Sequence, residues 1–338
     1  MIMSTALVSI RNVVKHFDIS GGLLEQLRFS GGRPTLKRTV VHALNNVSLD
    51  VRQGETLAVV GESGCGKSTL ARAVVCLHQP NSGEIRYRDQ RIDHLPPAKL
   101  LPFRTRLQMI FQDPYASLNP RMPVQRILEE PLRFHHPNLN AAQVAERVAA
   151  VMEQVGVRAS WAKQYPHEFS GGQRQRISIA RALIVDPECI VADEPISALD
   201  VSIQAQILNL MMDLQESHNL TYLFISHDLN VVRRIATRVA VMYLGSLCEL
   251  ATARQLFETP RHPYTQALLS AIPTLGRGRR KRIRLTGELS TPINLPRGCV
   301  FHPRCPYAYE PCRLEVPSPL TQPDGAVVAC HALRDGRI

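Results

Sequence analysis

Apolar and polar positions alternate over residues 7–17 (LVSIRNVVKHF), the period of a half-buried strand. Residues 20–39 hold two Gly-Gly pairs, a proline and several basic residues, and read as a loop. Strand-like runs return at Val47–Val51 and Thr56–Val60. After Val60 comes a Gly-rich turn and then a helical pattern over Ser68–Leu77, a strand–loop–helix unit that opens a parallel α/β fold. Residues 113–135 are broken by Pro114, Pro120, Pro123 and Pro131. Residues 141–155 then place Ala141, Val144, Ala145, Val148, Val151, Met152 and Val155 at helical spacing, and a second helix fits Gly172–Ile184. The stretch 113–184 therefore reads as a mostly helical insertion in an α/β core. Short apolar runs at Cys189–Ala192 and Leu220–Ile225 are those of buried central strands. From about residue 266 the chain is rich in Pro, Arg and Cys, loses both periods, and reads as a separate loop-rich extension.

Composition narrows this picture. With 338 residues, 44% hydrophobic and 20% charged, the chain can bury a sizeable core and divides into one large domain plus an extension, or two domains. Aromatics make up only 5%, fewer than a surface for stacking nucleic-acid bases would want. The net charge of +11 suits nucleic acid, an anionic membrane or small phosphorylated ligands. The basic run Arg277–Arg284 (RGRRKRIR) reads as a solvated linker in preference to a lipid or partner contact. The first residues show no secretory pattern, and no window has the apolar length of a membrane span, so a cytosolic chain is expected. Its eight cysteines should then be thiols. Cys65, Cys76, Cys189 and Cys248 are scattered, whereas Cys299, Cys305, Cys312 and Cys330 cluster.

Residues 61–69 read GESGCGKST, the G-x4-G-K-S pattern of the Walker A phosphate loop, between a predicted strand and a predicted helix. Gly61, Ser63, Gly64, Cys65 and Gly66 are read as the ATP-binding loop, whose glycines let backbone N–H groups curl around phosphate oxygens, the Cys65 side chain being a small spacer. The helix N-terminus adds a favourable dipole. Lys67 is placed for the β/γ-phosphates, Ser68 for Mg²⁺ and Thr69 for the α-phosphate region. The strand run CIVADE (189–194) delivers Asp193 to the Mg²⁺ hydration shell and Glu194 as a candidate general base.

These two motifs occur in many nucleotide-hydrolysing enzymes; the residues between and after them are more specific. Residues 169–173 read FSGGQ, with Phe169 in place of the usual Leu. Gln112 ends the run MIFQ, Ser197-Ala198-Leu199-Asp200 follows the acidic pair, and His227 follows LFIS. In this order the set resembles the ABC (ATP-binding cassette) ATPases over about residues 5–255. The resemblance implies an α/β P-loop NTPase fold: a RecA-like parallel core, an N-terminal antiparallel β subdomain and an inserted helical subdomain. It makes Phe17 the adenine-stacking aromatic, Gln112 a Mg²⁺ and water contact, and His227 a γ-phosphate contact. It makes Ser170, Gly171, Gly172, Gln173 and Asp200 contacts to ATP held by an opposite cassette. Read singly, FSGGQ is a helix cap, Gln112 a loop residue, Phe17 a core residue and His227 a strand-end cap.

Residues 112–121 (QDPYASLNPR), 167–176 (HEFSGGQRQR), 193–201 (DEPISALDV) and 261–273 (RHPYTQALLSAIP) further resemble the ATPase subunits of bacterial dipeptide and oligopeptide importers, a group that includes nickel importers. The expected division is a nucleotide-binding domain over 1–260 and a group-specific extension over 261–338. The resemblance implies two membrane-spanning permease subunits, a sister ATPase forming a heterodimer, a periplasmic solute-binding protein acting indirectly, no nucleic acid, and a place on the cytoplasmic face of the inner membrane. Four thiolates at Cys299, Cys305, Cys312 and Cys330 can hold Zn²⁺ or a [4Fe–4S] cluster, or remain free thiols. The close C-x2–4-C pairs usual for zinc are missing, and the resemblance points to iron–sulfur; His302 and His331 are read as neighbours, not ligands. Two other functions compete: a soluble ABC ATPase of nucleic-acid or iron–sulfur metabolism, favoured only by the basic run, and a redox protein regulated by ATP.

Overall fold

The computed structural model describes residues 6–20, 27–30, 33–36, 38–272, 283–285 and 291–338. Most of the basic run, Arg277–Arg282, lies outside the described residues. In chain order the strands are β1 (Ala6–Asp18), β2 (Leu27–Ser30), β3 (Arg33–Leu36), β4 (Val40–Arg52), β5 (Thr56–Val60), β6 (Ser82–Tyr87), β7 (Gln90–Arg91), β8 (Leu107–Ile110), β9 (Cys189–Asp193), β10 (Thr221–Ile225), β11 (Arg238–Tyr243), β12 (Ser246–Thr252), β13 (Leu320–Thr321) and β14 (Val327–Val328).

The alternating N-terminal segment forms β1, which pairs antiparallel with β4 and β6 in a sheet of order β4-β1-β6-β7. The continuous apolar runs behave differently. Every residue of β5, β9 and β10 is buried, as befits strands covered on both faces. They lie at the centre of a second sheet of order β13-β14-β12-β11-β5-β10-β9-β8. Within it β11, β5, β10, β9 and β8 run parallel, and β12, β14 and β13 antiparallel. This is the expected α/β P-loop architecture with its antiparallel companion sheet.

Between the parallel neighbours β8 and β9 the chain makes its helical excursion. Helices Val124–His135, Ala141–Gln154 and Gly171–Leu183 meet through Ile127, Leu128, Leu132, Val144, Val148, Val151, Met152 and Ile177, all at most 4% exposed. Two of the prolines do not break helices as the pattern suggested. Pro114 opens a short helix, and Pro131 sits inside Val124–His135, where burial of the flanking leucines outweighs the lost hydrogen bond. The segment 20–39, expected to be a loop, contains the antiparallel strand pair β2–β3, with Ser30 paired to Arg33.

The C-terminal residues attach to the cassette by two routes. Strand β14 pairs with Glu249 and Leu250 of β12, extending the main sheet. Phe301, 1% exposed, packs against Tyr243 and Tyr264 with ring centroids 5.3 Å from each, and those two tyrosines are 4.7 Å apart. Tyr264 belongs to helix Pro263–Ser270, capped by His262, whose Nδ1 accepts the Tyr264 N–H at 3.1 Å. That cap requires an unprotonated Nδ1. Burial lowers the His262 pKa to about 4.

This buried cap makes the extension acid-sensitive. The folded ring takes a proton only below about 4, the unfolded ring near 6.5, so between those values the unfolded state binds more protons. Stability at this position is present above pH 6.5 and falls as pH drops, by about 3 kcal/mol at pH 4. His262→Asn keeps a capping acceptor without the titration. Relative to this variant, the wild type should lose about that much between pH 7 and pH 4 in urea denaturation, and the difference cancels the titration of neighbouring Glu249.

Candidate active site

The end of β5 leads directly into the phosphate loop. Gly61 has φ 152°, and a Cβ there would stand 2.1 Å from the Met242 carbonyl oxygen of β11. Gly66 has φ 102°, and a Cβ there would stand 2.2 Å from the Ala43 carbonyl oxygen of β4. Both positions are closed to any side chain. Helix Lys67–Val74 follows at once, so its free N–H groups face the loop. Lys67 is 5% exposed, and its Nζ donates to the carbonyls of Gly61 at 2.8 Å and Glu62 at 3.1 Å. The ammonium is thus held over the loop's concave side by neutral acceptors that a phosphate can replace.

Strand β9 brings Asp193 alongside. The Ser68 hydroxyl donates to Asp193 Oδ1 at 2.9 Å. Burial raises the Asp193 pKa, and the Ser68 bond works against that rise. A hydroxyl and a carboxylate side by side are hard oxygen donors, the chemistry a magnesium ion takes. Glu194 follows with φ 46°, a left-handed backbone that costs a non-glycine residue about 1 kcal/mol or more. Glu194 Oε2 accepts from Gln112 Nε2 at 3.2 Å and lies 3.1 Å from His227 Nδ1. The histidine contact requires the Nδ1–H tautomer or the protonated ring.

These groups surround a cleft of about 440 Å³ lined by Phe17, Ser63, Gly64, Gly66, Lys67, Ser68, Thr69, Gln112, Glu194 and His227. Val41 and Ala43 of β4 complete the wall. No motif marks those two; only the docking of the antiparallel sheet brings them there. Phe17 presents its ring with Lys15 Nζ 5.0 Å from the centroid and His78 edge-on at 5.3 Å. Cys65 is buried behind the loop, and burial raises its thiol pKa, which suits a spacer.

The residues expected to act on an opposite cassette do not line this cleft. Ser170 caps helix Gly171–Leu183: its Oγ accepts the Gln173 N–H at 3.4 Å, and Gln173 Oε1 accepts the Ser170 N–H at 2.9 Å. Gly172 lies against Ile203, where a Cβ would come within 2.5 Å of Cγ2. Asp200 precedes helix Val201–His218 without a side-chain cap bond.

The late cysteines converge without forming a ligand set. Burial raises the Cys299 thiol to about 12, with Cys312, Cys305 and Cys330 adding to the rise, and raises Cys305 to about 11. Among the described residues no three His, Cys, Asp or Glu side chains are arranged to hold a metal ion. The iron–sulfur expectation thus finds no ready ligand set among the described residues. His302 Nδ1 faces the Cys299 carbonyl at 3.0 Å and His331 Nε2 the Glu315 carbonyl at 2.9 Å, as neighbours of the thiols.

A phosphate loop at the end of a parallel strand, facing an Asp–Glu pair and a histidine from the next two strands, defines a nucleotide-hydrolysing cassette. Comparison with known proteins makes the assignment specific. Residues 44–197 match the ABC transporter family model, and residues 248–312 match that of the oligopeptide/dipeptide transporter C-terminal region. The chain is 50% identical to the oligopeptide transport ATP-binding protein AppF of Bacillus subtilis, over 96% of this chain and 97% of the relative. It is 49% identical to the dipeptide transport ATP-binding protein DppF of Escherichia coli, over 94% and 92%. A dimeric ATP-binding cassette solved in a post-hydrolysis state with ADP and Pi superposes with a TM-score of 0.62 at 28% identity, covering 73% of this chain and 99% of that one. The chain belongs to the ATP-binding subunits of ABC transporters, in the oligopeptide/dipeptide group, and is an ABC transporter ATPase.

Proposed function

We propose that this chain hydrolyses MgATP to energise uptake of dipeptides or oligopeptides, acting on the cytoplasmic face of a bacterial inner membrane. The observation that carries the ATPase reading is the cleft in which Lys67, Ser68, Glu194, Gln112 and His227 converge, with Asp193 behind Ser68 through the 2.9 Å hydroxyl bond. The peptide cargo rests on the near full-length similarity to transport proteins named for peptides.

The residues take the following roles. Lys67 leaves its carbonyl partners for the β/γ-phosphates, and Phe17 stacks on the adenine. Ser68, Gln112 and, through water, Asp193 would hold Mg²⁺, which would neutralise phosphate charge. Glu194 accepts a proton from water as the water oxygen bonds to the γ-phosphorus and the bond to the β-phosphate oxygen breaks. Gln112 and His227 hold the Glu194 carboxylate in place for that transfer. The helix N-terminus at Ser170 and Gly171, with Gln173 and Asp200 nearby, completes the site of a second, sister cassette. Hydrolysis then removes the contact that holds the pair closed.

No helix among the described residues is long and apolar enough to cross a membrane, so transport needs spanning partners. We infer two permease subunits docking where the Gln112 loop meets the helical insertion. A groove there is lined by Val75, Leu77, Met109, Phe111, Phe134 and His135, with Phe134 63% exposed. The domains divide near residue 260, with the helical subdomain over about 113–184. The finer reading of residues 261–338 is a [4Fe–4S] cluster on Cys299, Cys305, Cys312 and Cys330. Its support is the four-cysteine pattern of the sequence.

Three outcomes are expected. Glu194→Gln should bind ATP as the wild type does yet lose turnover by at least about 100-fold; turnover at the wild-type rate would remove Glu194 as the base. Affinity purification from detergent-solubilised membranes should recover two multi-span proteins and a sister ATPase, and recovery with ribosomes or DNA would point to the soluble alternative. Anaerobically purified protein should carry about four iron and four sulfide per chain, whereas metal-free protein would leave the cysteines as structural thiols.

A further inference from the structure

The second residue of the phosphate loop is held from outside the cassette. Arg304, between Cys299 and Cys305 in the extension, reaches back 242 positions to Glu62. Its Nη1 donates to both carboxylate oxygens, at 3.1 and 2.9 Å, and to the Tyr243 hydroxyl at 3.2 Å. The Glu62 backbone is gripped too: its N–H donates to the Tyr264 hydroxyl at 2.9 Å. Arg304 is only 10% exposed on its side chain and Glu62 33%. Arg304 Nε is buried and finds no hydrogen-bond partner. A buried guanidinium with an idle donor is a poor choice for stability alone. The placement makes sense if its partner's charge has to be controlled.

That charge belongs to the loop itself, on the residue next to Ser63, which lines the cleft. Within GESGCGKST the one cation is Lys67, and its Nζ already bonds the Glu62 carbonyl at 3.1 Å. A Glu62 carboxylate free to rotate would find this ammonium as a close partner. It would also add negative charge next to the triphosphate.

We infer that Arg304 is a positioning residue for ATP binding: it draws the Glu62 carboxylate away from Lys67 and screens it, leaving the ammonium free for phosphate. The inference rests on the phosphate loop being the ATP site. It gives the extension a direct part in nucleotide affinity through one ion pair.

The test is a charge rescue, read as the dissociation constant of the full-length chain for a non-hydrolysable ATP analogue with Mg²⁺. Arg304→Met keeps the apolar stem and removes the charge. It should weaken binding about tenfold, the effect of roughly 1.4 kcal/mol. Adding Glu62→Gln to that variant should restore affinity to near the wild-type value, because the competing carboxylate is gone. A merely structural Arg304 would not be rescued. Unchanged binding by Arg304→Met, or a loss that Glu62→Gln fails to reverse, overturns the inference. If Arg304→Met does not fold, by circular dichroism, Arg304→Gln is read in the same way. Absence of binding by the wild type would instead overturn the ATPase reading.

Discussion

The phosphate loop is wedged between two sheets at backbone contact distance. At Gly61 it presses on the Met242 carbonyl of β11, and at Gly66 on the Ala43 carbonyl of β4. Neither contact leaves room for a Cβ. The loop's curvature is therefore set by main-chain collisions on both sides, not by the preferences of its own residues. Everything chemical follows from that wedge. It aims the first N–H groups of helix Lys67–Val74 into the cleft, and it places Ser68 against Asp193 of β9. It also makes β4, a strand of the other sheet, part of the nucleotide wall through Val41 and Ala43.

Within the cleft each charged group already has a modest partner. Lys67 rests on two carbonyls, Asp193 on a hydroxyl, and Glu194 on an amide and an imidazole. None of the three is locked in a strong ion pair with another. Such an arrangement costs little to rearrange when a triphosphate enters, yet keeps each group near its working position. The left-handed backbone at Glu194 is the one place where the site carries visible strain. The parallel strands on either side hold it there, and the Glu194 N–H still bonds the Ile225 carbonyl at 3.0 Å.

The extension is built into the cassette at three levels. Strand β14 adds to the sheet edge, Phe301 inserts between Tyr243 and Tyr264, and Arg304 with Tyr264 reaches the phosphate loop. A loop-rich segment has few apolar groups with which to form its own core. Here it borrows one: the cluster around Phe301 also includes Val60 of β5 and Val241 of β11.

Much of this was legible in the sequence because local chemistry demanded it. The continuous apolar runs at Cys189–Ala192 and Leu220–Ile225 are typical of doubly covered strands, and both are fully buried. The glycines, Lys67 and Ser68 announced a phosphate loop because backbone cradling needs those residue types at that spacing. Other features were not legible, for physical reasons. Pro131 inside a helix depends on how tightly Leu128 and Leu132 are buried. The partners of Glu194 come from residues 82 positions earlier and 33 later, and no period or spacing encodes such pairings. The extension lacked helical or strand periodicity, so its strand on the sheet edge and its arginine on Glu62 could not be read from pattern. The sequence by itself determined which residues could handle a nucleotide. The tertiary structure decided which of them meet, because that depends on long-range strand order and on backbone contacts between sheets.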